Sequence, residues 1–286
     1  MTGTAAPVDV PSVETALRAA RDRGRAVLVP YVTGGITADW TDHLLAYQAA
    51  GADAIEIGLP FSDPMLDGST IQRASDQALA RGTTVAGILA DLDGVRGRVR
   101  LPLIAMTYAN LVIRAGVRSF CEQLAGAGVR GLIVPDVPLD EVGEFEEAAA
   151  AAGVEMILLV APSTEPGRLR EICRRSRGFV YAVSVMGTTG ERDMLAGSAA
   201  TLAAAVRAVS DRPVLIGFGV SSAAQAVHAA RWADGAVMAS SLMRKVLDGA
   251  TPAEVGRDLA AVRRELDQER DGDERATGAE VPHDRG

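Results

Sequence analysis

Residues 53–67 read DAIEIGLPFSDPMLD, an apolar run broken at its centre by Glu56 and followed at once by a loop holding Pro60, Asp63, Pro64 and Asp67. Side chains alternate along a strand, so Glu56 points opposite to Ile55 and Ile57. A strand this apolar is expected to be covered on both faces, which carries the glutamate into an interior. A charged, unpaired carboxylate in such a place costs several kcal/mol. Burial also raises its pKa and makes it a usable proton donor or acceptor near neutral pH. A structural glutamate paired with an arginine is the other reading of the same residue.

Apolar, β-branched runs recur outward from this stretch. Strands are expected at 26–32, 54–58, 103–107, 131–136, 156–161, 179–184, 213–217 and 235–239. Amphipathic stretches alternate with them at 40–50, 71–81, 117–127, 142–152, 166–175, 199–210 and 222–232, and SSLMRKVLDG reads as a late helix. Continuous hydrophobicity in the strands fits a parallel sheet buried on both faces, and eight units fit a (β/α)₈ TIM barrel better than a doubly wound sheet. A leading helix near 13–23 is expected to cap the barrel bottom, and an extra helix near 85–94 follows strand two. One domain covering 1–268 is expected, with a charged tail, 269–286, lacking regular structure.

Composition narrows the function. A net charge of −8 with no basic face argues against nucleic acid. No run of 18 apolar residues and no basic-then-apolar leader are present, so no membrane association and a cytoplasmic location are expected. Cys121 and Cys173 show no metal spacing, and three histidines give little material for a metal site or a triad, so no metal is expected. Lys245 is the only lysine and lies on the late helix, which disfavours Schiff-base chemistry.

In a barrel of this kind the reactive groups sit at the C-terminal strand ends. Glu56 with the loop to Asp67, TYAN at 107–110, SVMGTTGERD at 184–193 and GFGVSS at 217–222 all fall there. Two carboxylates in different environments can divide acid and base duties. The glycine-rich loops after strands six, seven and eight, with Ser221, Ser222 and Ser240 at helix starts, offer backbone N–H groups to an anion such as phosphate.

The motifs GADAIEIGLPFSDPMLDGSTIQ, MTYANLV, GLIVPDVPLDE, FVYAVSVMGTTGER and GFGVSS together resemble the tryptophan synthase α subunit family, from about Tyr31 to Arg264. The resemblance implies a phosphate-binding barrel that cleaves indole-3-glycerol phosphate to indole and glyceraldehyde 3-phosphate by a retro-aldol reaction, without a cofactor of its own. It implies Glu56 and Asp67 as catalytic residues. Glu56 protonates indole C3 and shuttles the glycerol hydroxyl proton, while Asp67 binds the indole N–H. Tyr31, Met106 and Tyr181 match substrate-pocket positions, and Thr189 matches the threonine of a loop that closes over substrate. Gly190, Gly219 and Ser240 match phosphate-binding positions. Pro60, Asp63 and Pro64 match the contact loop for a β subunit that holds pyridoxal phosphate in an αββα complex.

Three departures from the family's usual pattern stand out: GGIT at 34–37, Gly68-Ser69 after the aspartate, and Ala239 before Ser240. A stand-alone lyase releasing free indole is the alternative reading, and an idle barrel acting only as a binding module is a third. Indole-glycerol-phosphate synthases and aldolases need lysines that are missing here, and aminoaldose isomerases need an aspartate pair at different strand ends.

Overall fold

The computed structural model describes residues 10–183, 192–217, 220 and 222–278. Eight parallel strands, β1 (Val27–Thr33), β2 (Ile55–Gly58), β3 (Leu103–Met106), β4 (Val129–Ile133), β5 (Glu155–Val160), β6 (Val180–Val183), β7 (Val214–Gly217) and β8 (Gly235–Met238), pair in chain order. The barrel closes where Val27 to Pro30 of β1 meet Gly235 to Met238 of β8. The expected (β/α)₈ barrel is the fold.

The outer ring is made of α2 (Trp40–Ala49), α3 (Ser69–Ala80), α4 (Val85–Val95), α5 (Ala109–Ala115), α6 (Val117–Gly126), α7 (Gly143–Ala152), α8 (Pro166–Arg175), α9 (Arg192–Arg207), α10 (Ala223–Trp232), α11 (Ser240–Leu247) and α12 (Pro252–Gly278). Ile55 and Ile57 point outward into the cluster shared with these helices, and Ala54, Ile104, Ile133, Ile157, Leu215 and Val237 fill the barrel.

The leading helix α1 (Val13–Asp22) packs Val13, Leu17 and Ala20 into that inner cluster and so plugs the bottom, as expected. Ser12 caps it by accepting from Thr15 N–H at 3.2 Å. Glu155 of β5 accepts from Glu14 N–H at 3.2 Å, placing a carboxylate against the positive end of the helix.

The strands are staggered, so some N–H groups have no neighbour on the next strand, and polar side chains ahead of that strand take them. Leu28 N–H donates to Asp53 Oδ2 at 2.9 Å, Leu158 N–H to Ser176 Oγ at 3.0 Å and Val214 N–H to Asp234 Oδ2 at 2.7 Å. Asp53 is also paired with Arg25 at 3.4 Å and with Arg263 of α12 at 3.6 Å. Arg263, itself buried, donates to the Ala26 carbonyl at 2.6 Å and pairs with Asp267 at 2.5 Å. The last helix is thereby clamped to the first strand.

The structure departs from expectation in four places. TYAN opens a short helix, α5, which Gly116 separates from α6. β4 ends at Ile133, so Asp136 lies in the following loop and accepts from Ala109 N–H at 2.9 Å. α9 starts at Arg192 rather than 199. The segment beyond 268 was expected to lack regular structure, yet α12 continues to Gly278. Its charges alternate at helical spacing, and Glu269 pairs with Arg231 of α10. Among the described residues no helix is long and apolar enough to cross a membrane, and no group of three or more His, Cys, Asp or Glu side chains could hold a metal ion.

Removing one member of a buried ion cluster leaves the others uncompensated, at about 3–5 kcal/mol. Asp53→Ala is therefore expected to destabilise the protein by about 3 kcal/mol, against less than about 1 kcal/mol for Asp267→Ala, whose side chain is half exposed. Urea denaturation of both variants checks this.

Candidate active site

β2 carries Glu56 inward at the C-terminal mouth, where it is 1% exposed and its Oε2 has no hydrogen-bond partner among the described residues. Burial, reinforced by the nearby charge of Asp67, pushes its carboxyl up to about 8. Asp67 stands in the loop between β2 and α3. Its N–H donates to the Pro64 carbonyl at 3.0 Å, and Gln72 of α3 donates to its carbonyl at 3.0 Å, which ties the loop to the helix. Partial burial raises the Asp67 carboxyl to about 6, and the neighbouring Tyr108 hydroxyl acts in the opposite direction.

Two tyrosines cross the mouth because the neighbouring strands have no side chain where the rings lie. A Cβ at Gly58 would stand 1.8 Å from the Tyr31 hydroxyl oxygen, and one at Gly217 would stand 2.1 Å from that of Tyr181. Thr33 Oγ1 donates to the Tyr31 hydroxyl at 3.2 Å. Burial pushes both phenols well above their ordinary range, so they remain neutral.

Tyr31, Glu56, Asp67, Met106, Tyr181 and Ser240 border one cavity of about 250 Å³, and Ile71, Val220, Val237 and Ala239 complete its wall. That volume is near the lower end of ligand pockets and suits a flat bicyclic ring with a short arm. Six residues expected from sequence thus converge. On the same cavity, α11 begins at Ser240 with no side-chain cap, so its first N–H groups are open to an anion. α10 also starts beside the mouth, capped by Ser222, which accepts from Gln225 N–H at 3.2 Å. Thr189, Gly190 and Gly219 lie outside the described residues.

The expected contact loop needs a correction. Pro60 and Pro64 are buried, so they shape the loop from within and are not themselves available to a partner. The exposed members are Asp63 and, beyond expectation, Met65 (79% exposed) and Leu66 (46%), with Ile113 (59%) of α5 adding to the exposed apolar residues. Tyr108 is a second site residue that sequence reading did not assign. It is buried, stacks on Phe61 with ring centroids 5.2 Å apart, and accepts from Leu66 N–H at 3.1 Å. Its position just beyond β3, in a stretch already singled out, was the available signal.

A family model described as tryptophan synthase alpha chain matches residues 17–270. The chain belongs to that family. A tryptophan synthase alpha chain from Picosynechococcus sp. is 42% identical over 255 residues, covering 88% of this chain and 95% of the relative. One from Gloeobacter violaceus is 41% identical over 269 residues, covering 93% and 96%. A crystal structure of tryptophan synthase from M. tuberculosis, in an open form with BRD0059 bound, aligns with a TM-score of 0.78 at 35% identity, covering 91% of this chain and 99% of that one. Tryptophan synthase subunit alpha from Legionella pneumophila aligns at 0.82 with 27% identity, covering 90% and 98%. As a member of the tryptophan synthase alpha chain family, the protein is a lyase of tryptophan biosynthesis that cleaves indole-3-glycerol phosphate to indole and glyceraldehyde 3-phosphate.

The glycine beneath the first tyrosine gives a direct check on this mouth. Overpacking costs about 1–3 kcal/mol, so Gly58→Ala is expected to lose about that much stability together with lyase activity. In a Tyr31→Phe background, where the hydroxyl oxygen is gone, part of the stability loss is expected to return. Paired urea titrations measure that coupling.

Proposed function

We propose that Glu56 and Asp67 divide the proton work of the cleavage, with the indole ring held between Tyr31, Ile71, Met106, Tyr181 and Val220 and the phosphate at the start of α11. The observation that carries this reading is the pair of carboxylates on one small cavity, one sealed in with its Oε2 unpartnered among the described residues and one half-buried at the rim. Protonated Glu56 gives its proton to indole C3, leaving positive charge spread toward the ring nitrogen. Ionised Asp67 accepts the ring N–H and stabilises that charge in a site poor in water. The bond from C3 to the side-chain carbinol carbon then breaks and its electron pair returns to the ring. The carbinol oxygen becomes the aldehyde as its proton passes to the Glu56 carboxylate, which restores the starting acid. Ser240 and the open N–H groups of α11 hold the phosphate, joined in this reading by Gly219 and Gly190, and Thr189 belongs to the loop that closes over substrate.

The same reading assigns the chain a β subunit as partner in an αββα complex. Met65 and Leu66, beside Asp63, would form the contact face, with Pro60 and Pro64 setting its shape. Pyridoxal phosphate belongs to that partner. Lys245, the only amine side chain of this sequence, is partly exposed on α11 and paired with Asp258, away from the cavity. The enzyme so described is cytoplasmic.

Two measurements test the assignment. Glu56→Gln keeps the shape and loses the acid. It is expected to fold normally and to lower kcat by about 10³-fold, since general acid–base catalysis contributes about 10²–10⁴, and wild-type turnover by this variant would overturn the assignment. The pH dependence of kcat/KM is expected to be bell-shaped. Activity falls as pH rises through about 8, where Glu56 loses its proton, and as pH falls through about 6, where Asp67 gains one. The two limbs belong to the coupled pair. Asp67→Asn is expected to lose the acid limb along with most of the rate.

A further inference from the structure

Glu56 and Asp67 border the same cavity, yet one is to act protonated and the other ionised. Something must separate them, and the surroundings of Asp67 contain one such group. The charge of Asp67 acts on Glu56 on β2, Tyr31 on β1, Tyr181 on β6 and Tyr108 beyond β3, and of these Tyr108 acts back on its carboxylate. Tyr31 receives the Thr33 hydroxyl proton and lies over Gly58, and Tyr181 lies over Gly217. Tyr108 differs from both.

A phenol has one proton to donate and accepts with its oxygen lone pairs. The Tyr108 oxygen accepts from Leu66 N–H at 3.1 Å, in the residue immediately before Asp67. Its proton is therefore left for the Asp67 carboxylate. The ring has little freedom to turn away, because it is 5% exposed and stacked on Phe61 of the same loop. Asp136, in the loop after β4, accepts from Ala109 N–H at the start of α5 and adds a negative charge that further disfavours loss of the Tyr108 proton. Burial is the larger cause acting in that direction, so the phenol remains a donor across the working pH range.

We infer that Tyr108 is the positioning residue for Asp67: its hydroxyl, pinned by Leu66 N–H and the Phe61 stack, donates to the carboxylate and aims it at the cavity. This rests on the proposed roles of the two acids, whereas the placement of the hydroxyl one residue before Asp67 is independent of them.

Tyr108→Phe keeps the stacked ring and removes only the donor. A hydrogen bond to the charged form lowers a carboxyl pKa, so the acid limb of kcat/KM is expected to move up by about one pH unit, with the alkaline limb moving less. At pH 7 kcat is expected to fall about tenfold and KM by less than about threefold either way, a split that simple loss of packing would not give. In an Asp67→Asn background the same change is expected to add nothing further. Carbon-13 NMR titration of the aspartate carboxyls reads the Asp67 shift without turnover, and so separates this inference from the lyase mechanism. An Asp67 titration unmoved by Tyr108→Phe overturns the inference even if the lyase roles stand, and a shifted titration supports it even if Glu56→Gln were to remain active. Should Tyr108→Phe prove unstable, Phe61→Leu, which frees the ring but keeps the hydroxyl, is expected to move the titration in the same direction by a smaller amount, and no movement there counts against the inference.

Discussion

A carboxylic acid placed on the inner face of a closed parallel barrel has no bulk water to turn to. Glu56 is in this position, and its Oε2 is left without a described partner. Desolvation therefore decides its chemistry, because the neutral form is the one the site tolerates best near neutral pH. A residue that costs stability in this way can be kept only if stability comes from elsewhere. The opposite end of the barrel supplies it. There α1 fills the bottom with Val13, Leu17 and Ala20, Glu155 fixes the start of that helix, and the Asp53 cluster binds the last helix to the first strand. The division between a stabilising floor and a reactive mouth is general to (β/α)₈ barrels, and here it can be followed residue by residue.

The mouth itself is shaped by exchange between neighbouring strands. Where β2 ends in Gly58, Tyr31 of β1 occupies the vacated space, and where β7 ends in Gly217, Tyr181 of β6 does the same. The rings make two walls of a cavity whose other walls are aliphatic, so the polar groups within it are few and each counts for more. Asp67 enters from a loop rather than a strand, which leaves it partly in contact with solvent and within reach of a hydrogen-bond donor. Two acids of similar intrinsic strength thereby come to differ in kind.

Much of this was legible in the sequence. The eight strands stand out because buried parallel strands are continuous apolar runs, and most of the expected spans fall within one or two residues of those found. Glu56 is legible for the same reason, as a charge at the centre of such a run rather than at its edge. Asp67 is not legible from spacing, because nothing local says that a loop eleven residues on turns back over the mouth; family resemblance singled it out. Tyr108 was passed over since its partners, Phe61, Leu66 and Asp67, belong to the preceding βα loop and meet it only through the β2 to β3 neighbour relation. The Asp53 to Arg263 pair escaped for a stronger form of the same reason, joining the second strand's approach to the last helix. α5 is short and its N-cap residue, Tyr108, makes no capping bond, the carboxylate that meets its first N–H coming instead from the distant Asp136, which removes the usual local start signal. Pro60 and Pro64 came in as contact-loop residues through the family resemblance, whereas packing turned them inward and left Met65 and Leu66 outside.

The departures from the family pattern can be weighed in the same terms. A glycine is needed for conformational reasons only where the backbone enters the left-handed region. Ala239 sits at φ −119°, a value any L-residue adopts, so the replacement brings no strain to the start of α11. What it brings is a methyl group in the cavity wall beside Ser240. The open N–H groups of α11 belong to the residues that follow. Gly68, which follows Asp67, has φ −69°, and the Ser69 after it simply begins α3. Both changes therefore fall on backbone that keeps its shape, and the two carboxylates, the two tyrosines and the start of α11 still border one cavity.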